Sequence, residues 1–211
     1  MSYSKLVEYV KLSPNCSKPR NKKIDAIVIH HVAGNATIEA LGNLFANSAR
    51  QASSNYGIGT DGRIGCYVEE ENRAWTSGSR EIDNRAITIE VANCSGVPEW
   101  RVSDQALEAT ISLCVDICKR YGFKLNYTGD KSGNLHMHKW YQATGCPGQY
   151  LASKFPYIAE EVNRRIDGKT EDSTDTIYRV QVGAFKVKAN ADAMLAKLKS
   201  AGFDGFIAVG K

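Results

Sequence analysis

Long apolar runs are missing from this 211-residue chain. No stretch approaches the roughly 18 uninterrupted apolar residues that a membrane span needs, so no membrane insertion is expected. The first residues, Met1-Ser-Tyr-Ser-Lys-Leu-Val-Glu8, hold no apolar segment of the kind a secretory signal requires. The chain is therefore expected to be made in the cytoplasm. An excess of charge of one sign is also lacking. The 27 basic and 23 acidic side chains leave a net +4, too mild a balance to point to nucleic acid. No CxxC pair occurs among the six cysteines at 16, 66, 94, 114, 118 and 146, and structural disulfides are not expected. Histidine is scarce, at four residues. What is present is ordinary for a folded chain: 43% hydrophobic and 24% charged residues, which excludes wholesale disorder and fibrous repeats.

The apolar pattern divides the chain. Lys23–His30 is a β-branched run of strand length that ends in polar chemistry. Ile38, Leu41, Leu44 and Phe45 predict a helix over Thr37–Ala46, capped by Asn35 or Thr37. Asp61-Gly62 marks the turn of a hairpin spanning Asn55–Val68. Arg85–Val91 reads as a central strand. Ser103–Tyr121 reads as a long helix capped by Ser103 and ended by Gly122. Its stripe includes Cys114 and Cys118 as ordinary buried thiols. Phe155–Ile166 predicts a further helix with Pro156 in its first turn and Tyr157, Ile158, Val162 and Ile166 inward. Alternating strands and helices make residues 1–167 an α/β domain, with a mixed central sheet flanked by helices. Residues 168–176 contain no apolar side chain and read as a linker. Residues 177–211 read as a small strand–helix–strand unit: strand Ile177–Gly183, helix Lys188–Ser200, strand Phe203–Val209. That unit can barely bury a core alone. It carries a net +4, whereas residues 168–175 carry a net −2.

All four histidines fall in two pairs, His30-His31 at a strand end and His136-Met-His138, and Cys146-Pro-Gly follows the second pair. Imidazole and thiolate donors together suit zinc. Two His and one Cys leave a fourth tetrahedral position open, the pattern of a catalytic rather than a structural site. Glu90 ends a run of alternating apolar residues, and an acid there is costly unless it has a task.

The ordered set Ile27-Val-Ile-His-His-Val-Ala-Gly34, Tyr56-Gly-Ile-Gly-Thr-Asp-Gly-Arg-Ile64, Arg73-Ala-Trp75, Asn84–Val91 and His138 through Thr144-Gly-Cys-Pro-Gly148 resembles a known family. It is similar to zinc-dependent N-acetylmuramoyl-L-alanine amidases of the phage-lysozyme and peptidoglycan-recognition-protein type. The resemblance implies one zinc ion held by His30, His138 and Cys146. It makes Glu90 the general acid/base and places Thr144 beside the developing oxyanion. Trp75, Tyr56 and His31 are expected to line the substrate groove, and His136 to support the ligands. Ser54 stands where other members carry a hairpin tyrosine, which favours Glu90 for proton transfer. The implied substrate is bacterial peptidoglycan, and the implied setting a phage endolysin that acts after release through a membrane pore or on lysis. A host autolysin is the alternative source. A non-catalytic wall receptor and a zinc peptidase acting on the stem peptide are the competing functions. Residues 177–211 resemble one half of a sporulation-related (SPOR) repeat, which implies wall binding. The short unit with exposed edges is expected to pair across a homodimer.

Overall fold

The computed structural model describes residues 2–168, 181–203 and 205–209. The chain forms two compact units, residues 1–170 and 171–211.

In the first unit the strands are β1 (Tyr9–Val10), β2 (Cys16–Ser17), β3 (Ala26–His31), β4 (Tyr56–Ile58), β5 (Ile64–Cys66), β6 (Arg73–Ala74), β7 (Ala86–Val91) and β8 (Leu135–Met137). The helices are α1 (Ile38–Ala46), α2 (Arg80–Arg85), α3 (Asp104–Tyr121) and α4 (Gln149–Ile166). Six strands make one mixed sheet in the order β1-β5-β4-β7-β3-β8, and β2 pairs with β6 in a separate ribbon. β3 runs parallel to both neighbours, β7 and β8, and β7 runs parallel to β4. Strands buried on both faces need nearly continuous apolar sequence, which is what Ala26-Ile-Val-Ile and Ala86-Ile-Thr-Ile supply.

The two faces of the sheet are covered unequally. Ile27, Ile29, Ile87, Ile89 and Val91 point to one face and join α3 and α4 in the main core. On the other face two small clusters form. Ala26, Val28 and Ala86 pack with Ile82 of α2, while Leu41 and Phe45 of α1 pack with Tyr67. His30 and Glu90 stand on this second face, directly paired in register between β3 and β7. Because β3, β4, β7 and β8 share one direction, their carboxyl ends form a single rim, the usual location of a crevice in such sheets.

Local signals explain the elements. Thr37 caps α1 by accepting from Ala40 N–H at 3.2 Å, and Ser103 caps α3 by accepting from Ala106 N–H at 3.0 Å. Gly122 ends α3 at φ 73°. Three expectations need correction here. α4 begins at Gln149, not Phe155, so Pro156 lies midway along the helix. The stripe Leu151, Phe155, Ile158 and Val162, fully buried, holds the helix through the lost backbone bond. Tyr157 faces solvent at 48% exposure because it falls off that stripe. Leu44 likewise sits at the outer edge of α1. All six cysteines are free thiols. Among the described residues no helix is long and apolar enough to cross a membrane.

The second unit contains one described helix, α5 (Lys188–Ser200), with Met194, Leu195 and Leu198 half-buried. Residues 177–180 of the first expected strand lie outside the described residues, and residues 181–183 form no strand. The second expected strand is also absent over Phe203 and residues 205–209.

Candidate metal centre

Three elements converge at the rim. His30 ends β3, His138 opens the short 3-10 turn after β8, and Cys146 lies in the loop before α4. One donor atom from each lies within 4.8 Å of the others, a span that a single ion can bridge. His30 Nδ1 is 3.6 Å from Cys146 Sγ, and the His30 and His138 rings lie 4.7 Å apart. The loop that carries Cys146 is tied back by Lys139 N–H, which donates to Cys146 O at 3.0 Å.

The charge states suit a cation. Burial, then His138 and His31, pushes the His30 imidazole well below its ordinary range, and burial lowers His138 as well. Both rings are therefore neutral and free to donate a lone pair. Burial, reinforced by Glu90, pushes the Cys146 thiol up, opposed by the His31 N–H at 3.4 Å from Sγ. A thiol in that position loses its proton when a divalent ion arrives, so two imidazoles and one thiolate fit zinc.

Supporting contacts hold these ligands. Ser77 Oγ lies 3.3 Å from His30 Nε2, opposite the edge that meets Cys146. Ser77 N–H and Thr76 N–H in turn donate to Asp83 at 3.1 and 3.2 Å. This relay orients the ring in the way that partners behind metal ligands commonly do. Ser77 and Asp83 were not legible in the sequence, because neither follows the His/Cys pattern. His31 packs its ring edge-on against Trp100 at 5.6 Å. Trp100 holds the left-handed value φ 49°, kept there by Asn93 Nδ2, which donates to Trp100 O at 2.7 Å.

Glu90 sits half-buried beside His30, and loss of hydration pushes its carboxyl up to about 8, with Arg50 pulling the other way. Thr144 is exposed, and its Oγ1 accepts from Cys146 N–H at 3.2 Å. Trp75 donates its indole N–H to Ser17 Oγ at 3.0 Å and lines a cleft of about 430 Å³ with Arg73, Thr76, Arg80 and His138. His136 is buried on β8, 2.9 Å from the Tyr141 hydroxyl. Burial pushes its imidazole down to about 4, and it stands outside the ligand group. Ser54 is buried and donates to Thr88 O.

Tyr56 needs correction as a groove residue. It is fully buried among the α3/α4 core side chains, where its hydroxyl donates to Glu70 and accepts from Ser4 N–H at 2.8 Å. Alternation along β4 explains the outcome: Tyr56 pairs with Ile89, which faces the core, while Gly57 pairs with Glu90.

The family model for N-acetylmuramoyl-L-alanine amidase matches residues 20–149, and that for the SPOR domain matches residues 158–210. The second match begins at residue 158, within α4, rather than at the expected residue 177. The sporulation-specific N-acetylmuramoyl-L-alanine amidase of Bacillus subtilis strain 168 is 49% identical over 35 residues, 17% of this chain and 14% of the relative. The chain thus covers about a seventh of that curated relative. Among solved structures, the Staphylococcus aureus hydrolase AmiA in complex with its ligand superposes with a TM-score of 0.59 at 18% identity, over 81% of this chain and 89% of that one. A mutant of PlyL gives 0.58 at 15% identity, over 74% and 97%. The endolysin amidase LysCS of Clostridium intestinale URNW gives 0.53 at 22% identity, over 76% and 93%. Identities this low speak for the fold.

Proposed function

Because the chain belongs to the N-acetylmuramoyl-L-alanine amidase family, we propose that its first unit hydrolyses the amide joining the lactyl group of N-acetylmuramic acid to L-alanine of the peptidoglycan stem, with zinc held by His30, His138 and Cys146. The observation that carries this reading is the convergence of two neutral imidazoles and one thiol within 4.8 Å at the rim of the sheet. Zinc bound to such a set lowers the pKa of a water molecule and polarises a carbonyl.

The protein's own groups supply the rest. Glu90 stands beside His30 with its carboxyl raised by loss of hydration, a setting suited to a general acid/base. It takes the proton of the attacking water and delivers it to the departing amine of L-alanine. The Thr144 oxygen is engaged by Cys146 N–H, so its hydroxyl proton is free to donate to the developing oxyanion. Trp75, fixed through Ser17, walls the groove beside His138. The second unit falls within the SPOR match and holds the enzyme on the wall. The physiological setting is wall lysis by a phage-type enzyme acting after release from the cell.

Purified walls incubated with the protein test the reading. Free muramic lactyl groups and new alanine amino ends are expected; a chelator should abolish them and added zinc restore them. New amino ends inside the stem would make the protein a peptidase. Binding without any release would make it a receptor. Either result overturns the amidase reading.

A further inference from the structure

Arg73 on β6 is a buried charge that the reaction does not use. It is 8% exposed. Its cross-strand partner is Ser17, whose Oγ accepts from Arg73 Nη2 and also from the Trp75 indole at 3.0 Å. That is its one side-chain hydrogen bond among the described residues, and no carboxylate there forms an ion pair with it. Most of the five N–H donors of its guanidinium are therefore unused by the protein.

A half-buried arginine nearby behaves differently. Arg20 gives its guanidinium to the carbonyls of Glu70, Asn72, Asp83, Asn84 and Ala86. Asp83 stands on the same wall as Arg73, but its oxygens accept from Thr76 N–H and Ser77 N–H. Asp83 balances part of the Arg73 charge without bonding to it, and no Arg73 nitrogen is among the buried side-chain atoms without a partner, so its unused N–H groups open onto the water of the cleft, where a ligand can take them. Arg73 lines the same cleft as Trp75 and the ligand His138, and Arg80 adds a second positive charge to its lining.

We propose that Arg73 forms a carboxylate-binding subsite for the stem peptide of the substrate. This inference rests on the amidase reading and names the substrate feature that the site selects. The peptide side of the scissile amide leaves the ligand group along the cleft past His138 and Trp75. A free carboxylate on the residue after L-alanine then meets the Arg73 fork, whose planar geometry suits two parallel hydrogen bonds. A stem with that carboxylate amidated lacks the charge and is the poorer substrate.

The test compares two synthetic N-acetylmuramoyl peptides that differ only in whether the second residue carries a free or an amidated α-carboxyl group. The wild-type protein should cleave the free acid with a kcat/KM about tenfold to a hundredfold higher, the usual span for one charge-assisted contact. Arg73→Gln should lose that preference, with the acid substrate falling at least tenfold further than the amide, and Arg73→Lys should keep part of it. Melting temperature and zinc content confirm that the variants are folded. Should Arg73→Gln not fold, the wild-type comparison still decides. Cleavage of both peptides at equal rates by the wild type would overturn the subsite and leave the amidase reading standing. So would an equal loss on both substrates in a folded Arg73→Gln. Cleavage of neither peptide by the wild type would instead count against the amidase reading.

Discussion

Glu90 is the side chain to which the proposed reaction assigns proton transfer. Glu90→Gln keeps shape and volume but cannot accept a proton, so turnover should fall by about 10²- to 10⁴-fold. Zinc content should stay at the wild-type level, since Glu90 is outside the ligand group. Full activity in that variant would remove its assigned role. The same carboxyl has a stability signature in chelator-stripped protein. Its ordinary value is 4.5, and in the fold it is pushed up to about 8. Between those two values the folded state holds a proton that the unfolded state has released. Stability therefore falls as pH rises through that window and levels off above it. Glu90→Gln should match the wild type below about pH 4.5 and melt a few degrees higher near pH 8.5. Identical melting curves at both pH values would show that the carboxyl is not held protonated. The acid itself was legible, because a lone charge closing an apolar strand has no packing reason to be there. Tyr56 misled for the converse reason: which face an aromatic takes depends on strand register, and one residue of shift exchanges the faces.

At the scale of elements, strands and helices with strong periodicity were readable. The bounds of α1 and α3 follow from Thr37, Ser103 and Gly122. The edges were not: β1, β2, β6 and β8 run for two or three residues and exist through their partners rather than their own sequence. The start of α4 was hidden because Pro156 is read as a first-turn residue, whereas the stripe from Leu151 onward outweighs it. The true start lies at Gly148, with φ 81° and ψ 162°, a conformation essentially confined to glycine. A Cβ there would also lie 2.9 Å from His31 Nδ1 and 3.2 Å from the Trp100 Cβ. Gly148→Ala should therefore cost about 1–3 kcal/mol of stability. It should also displace His31, whose N–H faces the Cys146 sulfur, and so weaken zinc retention. Thermal melts and a chelator competition check both effects. Wild-type values in both would show that this turn does not brace the ligand loop.

On the scale of the molecule, the proposed function divides chemistry from attachment between the two units. The first unit has its own core and holds every group proposed to act on the amide. The second unit is small, and its aromatic side chains Phe185, Phe203 and Phe206 are exposed. Its sequence was read as half a repeat with two strands, and α5 alone of those elements lies formed among the described residues. A unit of that length leaves strand pairing to contacts that periodicity does not encode. Its cationic residues, which give residues 176–211 a net +4, suit an anionic polymer. Tethering the catalytic unit to an insoluble substrate raises its effective concentration there without altering the site. A chain ending at residue 168 should therefore cleave a soluble muramyl peptide at the full rate. On sedimentable walls it should bind more weakly and release product several-fold more slowly. If truncation slowed both substrates equally, the second unit would be acting on the catalytic fold itself, and the division of labour would fail.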